Sequence, residues 1–240
     1  MMFRRIVDAI RRQDPATVLV EILILVVGIA LALQVDEWRA ERQQRQLESS
    51  LIVRLTLDFQ QIENRLTDSI AELEGFRGDI GFVRDTVRSG QPPDAEDEHN
   101  RFLGSLGEIM SSRIPAGRSP TFIEMLSSGV FDVLRDEDLK QRLIEYDQTQ
   151  GVSMTGWQTL RDQALLFSPP LFNAMTLGNP GENQHINPVA FDFDRMRNDA
   201  DYDGALGVQL SVQSNNQQLQ VAQLTAARAV LERLATQEQP

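Results

Sequence analysis

The stretch ATVLVEILILVVGIALALQV, residues 16–35, is almost entirely apolar and holds one ionisable side chain, Glu21. As a helix rising about 1.5 Å per residue it would extend about 30 Å, which is the thickness of a bilayer's hydrocarbon core. The sequence that follows is polar, acidic and rich in helical periodicity. These residues predict one membrane span that carries a water-soluble domain.

The charges around the span predict its orientation. Four arginines precede it, and segments rich in Lys and Arg tend to stay in the cytoplasm. Trp38 follows the span, in the position of an interfacial aromatic residue. We therefore expect a basic cytoplasmic segment at residues 1–15, a transmembrane helix at 16–36 and a periplasmic domain at 37–240, in the inner membrane of a Gram-negative bacterium.

A cleaved signal peptide is the alternative interpretation of the same segment, because Ala30 and Ala32 match an A-x-A cleavage site. Three features favour an uncleaved anchor instead. The apolar run is longer than the ~7 to 15 residues of a usual signal-peptide core, Glu21 interrupts it, and helix-favouring sequence continues past residue 35.

Two interpretations of Glu21 stay open. Its carboxylate can extend to the inner interface near the N-terminal arginines, or it can face a partner helix, because carboxylates within a membrane are costly and usually paired. Gly28 and Ala32 lie four residues apart and would put small side chains on one helix face. That spacing permits close approach of a second helix.

The composition excludes several classes of function. The net charge is −12, so the chain lacks the basic surface that binding to nucleic acid requires. Without cysteine, it has no disulfide, no thiolate metal ligand and no Cys nucleophile. No catalytic constellation stands out among the remaining residues, so the sequence predicts neither an enzyme nor a cofactor.

Beyond the span, apolar residues recur at intervals of three and four from Leu47 to Val87. This stripe predicts a long amphipathic helix that continues the membrane helix. A helix packed in its own domain's bundle is favoured over a coiled coil between copies. Gly75, Gly78 and Gly81 share one face of this helix, which predicts either close packing of another helix or local weakening.

Residues typical of helix starts and ends downstream of this helix predict further helices in an all-α, elongated bundle. Ser119 and Pro120 open a short helix that Gly129 ends, and Asp136 caps the next one. Residues 172–198 are expected to be irregular. A long C-terminal helix follows, and we expect its uncharged polar stretch, residues 211–223, to lie at the surface rather than to pair with another helix through side-chain amides.

Asp199, Asp201, Asp203 and Gly204 match the first half of a calcium-binding loop. The twelfth position, where a bidentate Glu would complete the shell, is Leu210. We therefore favour acidic residues at a helix N-terminus, where they complement the helix dipole, over a metal site.

Two blocks carry a resemblance to a known family. EILILVVGIALALQVDEW (residues 21–38) resembles the N-terminal signature of a widespread bacterial family of unknown function, and TFIEMLSSGVFDVLRDEDLKQRLIEYD (residues 121–147) is similar to its second signature. The resemblance implies an uncleaved anchor and an all-helical domain, with no known activity. It marks Glu21, Gln34 and Trp38 as positions to test for partner contact.

These patterns predict a membrane-anchored scaffold that binds the lipid bilayer and either a protein partner or further copies of itself. The contact would be made through the membrane helix or the helix at residues 47–87. The alternative is a periplasmic ligand sensor that signals through a partner membrane protein. A pocket lined by Trp157, Phe167 and Phe172 would favour sensing, whereas an exposed apolar strip on the long helix would favour a scaffold.

Overall fold

The fold is all-α apart from one two-stranded hairpin, as seen in a computed structural model that describes residues 15–179 and 186–237. The expectations for residues 1–14 lie outside this part of the chain. The elements, in chain order, are α1 Pro15–Ser89, α2 Glu96–Glu108, α3 Pro120–Ser128, a 3₁₀ turn Phe131–Val133, α4 Glu137–Leu166, α5 Pro169–Asn173, β1 Met175–Leu177, β2 Pro188–Phe191, α6 Phe193–Asn198 and α7 Ala200–Gln237.

The chain divides into two units, Met1–Leu51 and Ile52–Pro240. Among the described residues, none of the helices combines the length and the apolar character needed to cross a bilayer.

The predicted apolar stripe of α1 forms much of the core of the second unit. Buried α1 side chains recur at the expected spacing of three or four residues. Because the stripe is covered within the chain, it cannot also serve as the seam of a coiled coil between copies. Its buried members are Leu55, Phe59, Ile62, Leu66, Leu73, Phe76, Ile80, Val83 and Val87.

The glycines on the outer part of α1 do not mark a helix contact. A Cβ atom at Gly75, Gly78 or Gly81 would meet no atom within 4 Å outside the helix's own backbone. Within the described part of the chain, no other helix packs closely there. What remains is the local weakening that Gly causes in a helix interior.

The predicted helix boundaries downstream of α1 are confirmed. The Ser119 hydroxyl accepts a hydrogen bond from the Phe122 amide, and Gly129 ends α3 in the left-handed region at φ 73°. Asp136 accepts from the Leu139 amide and so caps α4. These side chains satisfy backbone groups that a helix leaves unpaired at its ends.

The segment expected to be irregular contains short regular elements. β1 and β2 pair antiparallel, with Met175 opposite Phe191. Phe191 packs against the ring of Phe102, the ring centroids being 4.8 Å apart. The hairpin thus covers a second part of the core, which sequence periodicity could not show because each strand has only three or four residues.

One face of the uncharged polar stretch of α7 is buried, so the expectation of a surface position holds only for the opposite face of the helix. Gln213, Gln220 and Gln223 donate from their Nε2 atoms to the carbonyls of Ser111, Arg113 and Ala116, at 2.6, 3.0 and 2.8 Å. These amides satisfy the backbone of an extended segment that has no strand partner of its own. The buried amide row is Gln209, Gln213, Asn216, Gln220 and Gln223.

Candidate functional site

The first candidate site is an apolar surface on the N-terminal part of α1. All seven of its described large apolar side chains are exposed, by between 49 % and 66 %. Consecutive residues point in all directions around a helix, so this is a sleeve and not a stripe. Exposed apolar surface of this kind marks contact with a membrane or with another protein. The sleeve consists of Leu23, Ile24, Leu25, Val26, Val27, Ile29 and Leu31.

The predicted contact residues lie along the same helix, α1. Gly28 and Gln34 are exposed, and no atom approaches the position of a Cβ at Gly28 within 4 Å. Trp38 is 57 % exposed, and the guanidinium of Arg42 lies 5.6 Å from the centre of its ring. The side chains of Glu21 and Ala32 lie outside the described part of the structure. The helix therefore leaves Gly28, Gln34 and Trp38 accessible to a partner.

The second candidate site is an open cavity of about 450 Å³ where the end of α4 meets the start of α7. Of the three aromatic residues expected to form a pocket, Phe167 lines this cavity together with Leu166 and Val208. The indole N–H of Trp157 instead donates to the Ser112 hydroxyl at 3.3 Å. Leu166 and Phe167 are 72 % and 47 % exposed, so the rim is apolar. This volume lies within the range of small-molecule sites.

The aspartates of the calcium-like motif do not form a cation site. Asp203 accepts hydrogen bonds from the guanidinium groups of Arg84 and Arg88, at 2.8 to 3.1 Å. These hydrogen bonds hold the pKa of the Asp203 carboxyl well below its usual range. Asp199 accepts from the Asp201 amide at 2.9 Å, as a residue at a helix start does. Residues 15–179 and 186–237 contain no cluster of acidic or histidine side chains that could hold a metal ion.

Two tyrosines of the second unit have strongly perturbed pKa values. Burial raises the pKa of Tyr146 and of Tyr202, and both side chains lie in the core. The Tyr146 hydroxyl donates to the Gly117 carbonyl at 2.8 Å. Neither phenol lines the cavity beside Phe167. The sleeve on α1 and the cavity beside Phe167 both present apolar surface.

Sequence reasoning named Phe167 but missed the rest of this cavity, because Leu166 and Val208 are distant in the chain and each resembles an ordinary core residue. The signal in the sequence was the apolar run Leu165 to Phe167, which is followed by Ser168 and two prolines. No family model matches the sequence, and neither the curated proteins nor the solved structures include a match.

Proposed function

We propose that this chain is a membrane-anchored, non-catalytic interaction protein of the bacterial inner membrane. Residues 16–36 form the anchor, the N-terminus lies in the cytoplasm and the helical domain lies in the periplasm. The observation that supports this proposal best is the apolar sleeve on α1, Leu23 to Leu31, which is exposed on every side of the helix. A helix that is apolar all round is stable only when lipid or protein surrounds it.

The polar residues at the two ends of the apolar run indicate which contacts this helix makes. Glu21 would lie inside the hydrocarbon region, where an unpaired carboxylate is costly, so it pairs with a polar group of a partner helix. Gly28 and Ala32 allow that helix to approach closely. Gln34 and Trp38 lie at the outer end, where amide and indole N–H groups suit the membrane interface. The family resemblance of residues 21–38 points to the same positions.

Co-purification tests this role of Glu21. The full-length chain is extracted in a mild detergent, the mass of the particle is measured, and co-purifying proteins are identified for the wild type and for Glu21→Leu. We expect a defined partner, or a homo-oligomer, that is lost in the variant. Glu41→Leu is the matched control, because Glu41 lies outside the apolar run and pairs with Arg45 on the same helix. A particle that is unchanged by Glu21→Leu would contradict the proposed contact.

A ligand sensor is the second candidate function, and the cavity beside Phe167 favours it. Its apolar lining would take an apolar small molecule or acyl chain. The test is a screen of such compounds for an increase in the unfolding temperature, repeated with Val208→Trp to fill the cavity. A ligand at one hundred times its Kd stabilises by about 2.7 kcal/mol, which such a screen detects. Stabilisation that persists in the variant would exclude this cavity as the site.

A further inference from the structure

The open cavity of about 450 Å³ beside Phe167 has two walls of different chemistry. The first wall is apolar and lies where the chain leaves α4 and enters α5. It consists of Leu166, Phe167, Pro169 and Pro170, and the side chains of Leu166 and Phe167 are exposed. This wall suits the apolar body of a small molecule.

The second wall is the first part of α7, and it brings one carboxylate to the cavity. Asp201, Gly204, Ala205 and Val208 line it, at spacings of three and four residues that place them on one helix face. Asp201 is the one ionisable residue among those that line the cavity. A Cβ atom at Gly204 would meet no atom within 4 Å, so the helix face beside Asp201 borders open space.

The carboxylate of Asp201 has no partner in the described part of the chain, unlike those of the neighbouring aspartates. Asp203 accepts hydrogen bonds from Arg84 and Arg88, and Asp199 accepts one from the Asp201 amide. The Asp201 side chain makes no hydrogen bond or ion pair with any described residue, and no Lys or Arg lines the cavity. The helix dipole accounts for an acidic residue at this position, but not for the exposed apolar wall of the same cavity.

We propose that this cavity binds a small apolar amine, with the apolar body against Leu166 and Phe167 and the ammonium group on the Asp201 carboxylate. The inference rests on the ligand-sensing function proposed for this cavity, and it narrows the ligand from apolar compounds in general to cationic ones. A carboxylate and an aromatic ring both attract an ammonium group. The net charge of −12 also attracts cations, and it works against fatty acids and other anions.

Ligand-detected NMR titrations of the full-length chain in a mild detergent test the charge of the ligand. The probes are 2-phenylethylamine, 2-phenylethanol and 3-phenylpropanoate, which share a phenyl ring and differ in the charge of the head group. Titration of micelles without protein corrects for partitioning into detergent. We expect the amine to bind about three- to fivefold more tightly than the alcohol, which is the gain from a solvent-exposed ion pair, and the carboxylate to bind most weakly.

Three variants locate the site. Asp201→Asn should remove the preference for the amine, so that the amine and the alcohol bind with the same Kd to within about twofold. Asp68→Asn removes the same charge at an exposed position on α1 and should leave the preference unchanged. Gly204→Leu places an apolar side chain in the cavity and should weaken the binding of all probes by about tenfold or more.

The outcomes separate this inference from the proposed sensing function. If the wild type binds the amine and the alcohol equally, or if Asp201→Asn keeps the preference for the amine, the inference is overturned while the cavity remains a candidate sensor site. Binding that is unchanged in Gly204→Leu would place the site elsewhere and overturn both proposals. Absence of binding by every probe would also overturn both, and none of these results bears on the proposed membrane anchor.

Discussion

Asp203 connects the start of α7 to α1 through two arginines, Arg84 and Arg88, and this contact is sensitive to pH. Its folded-state pKa is lowered by those hydrogen bonds, so its stabilisation is present above the unfolded-state pKa and is lost as the pH falls through the folded-state value. The Asp203 side chain is 41 % exposed, so solvent screens the pair and the contribution at pH 7 is only about 1 kcal/mol.

We therefore expect Asp203→Asn to lower the free energy of unfolding by about 1 kcal/mol at pH 7. The difference in the free energy of unfolding between variant and wild type should shrink below about pH 4, where the carboxyl of the unfolded chain is protonated. Denaturant titrations of the detergent-solubilised chain, followed by circular dichroism, measure both values. Asp201→Asn is the control and should change stability by less than about 0.5 kcal/mol. A loss that is constant from pH 7 to pH 3 would refute this role for the ion pairs.

Gln223 shows why an uncharged polar residue can be a core residue. It is fully buried, and its amide donates to the Ala116 carbonyl at 2.8 Å and to the Tyr146 hydroxyl at 3.0 Å. Gln223→Leu leaves that carbonyl without its donor, and we expect a loss of about 1 to 3 kcal/mol in the free energy of unfolding. Gln60→Leu, at an exposed position, should have little effect. Equal stability of the two variants would show that the amide row does not hold the extended segment.

At the scale of elements, replacing the glycine that ends α3 and a glycine inside α1 should change stability in opposite directions. Gly129 ends α3 at φ 73°, where a residue with a Cβ is strained, so Gly129→Ala should destabilise the protein by about 1 to 2 kcal/mol. No neighbouring atom lies within 4 Å of the added Cβ, so backbone strain alone causes this loss. Gly75 lies inside α1 with equally open surroundings, so Gly75→Ala should stabilise by about 0.5 to 1 kcal/mol. The unfolding temperatures of both variants show whether each substitution stabilises or destabilises the protein. Destabilisation by Gly75→Ala would mean that another chain packs there.

Elements with local signals were predictable from the sequence. Ser119, Gly129 and Asp136 act on backbone groups within a few residues, so their capping roles can be read without the fold. The amide row of α7 could not be assigned in this way. Whether Gln213 faces water or the Ser111 carbonyl depends on an extended segment about a hundred residues earlier in the chain. The β hairpin escaped prediction because its strands are too short for a period to be recognised.

At the scale of the whole molecule, the long stripe of α1 predicted the all-α bundle because one apolar face of that length must be covered by other helices. The candidate sites were predicted less completely. The apolar residues of the α1 sleeve were evident from the sequence. Phe167 was predicted as a pocket residue, but the rest of its cavity was not, because the lining residues are distant in the chain and no local pattern encodes their contact.

The most direct test of the proposed anchor is alkaline carbonate extraction of membranes combined with protease treatment of spheroplasts. We expect the full-length chain to remain in the membrane pellet after extraction and its C-terminal domain to be digested in intact spheroplasts. A variant with Glu substituted at Val26 and Ile29, in the centre of the apolar sleeve, should appear in the soluble fraction, because each charge there costs about 2.5 to 3.5 kcal/mol. Release of the wild-type chain by carbonate, or protection of the domain in spheroplasts but not in lysed cells, would contradict an inner-membrane anchor with a periplasmic domain.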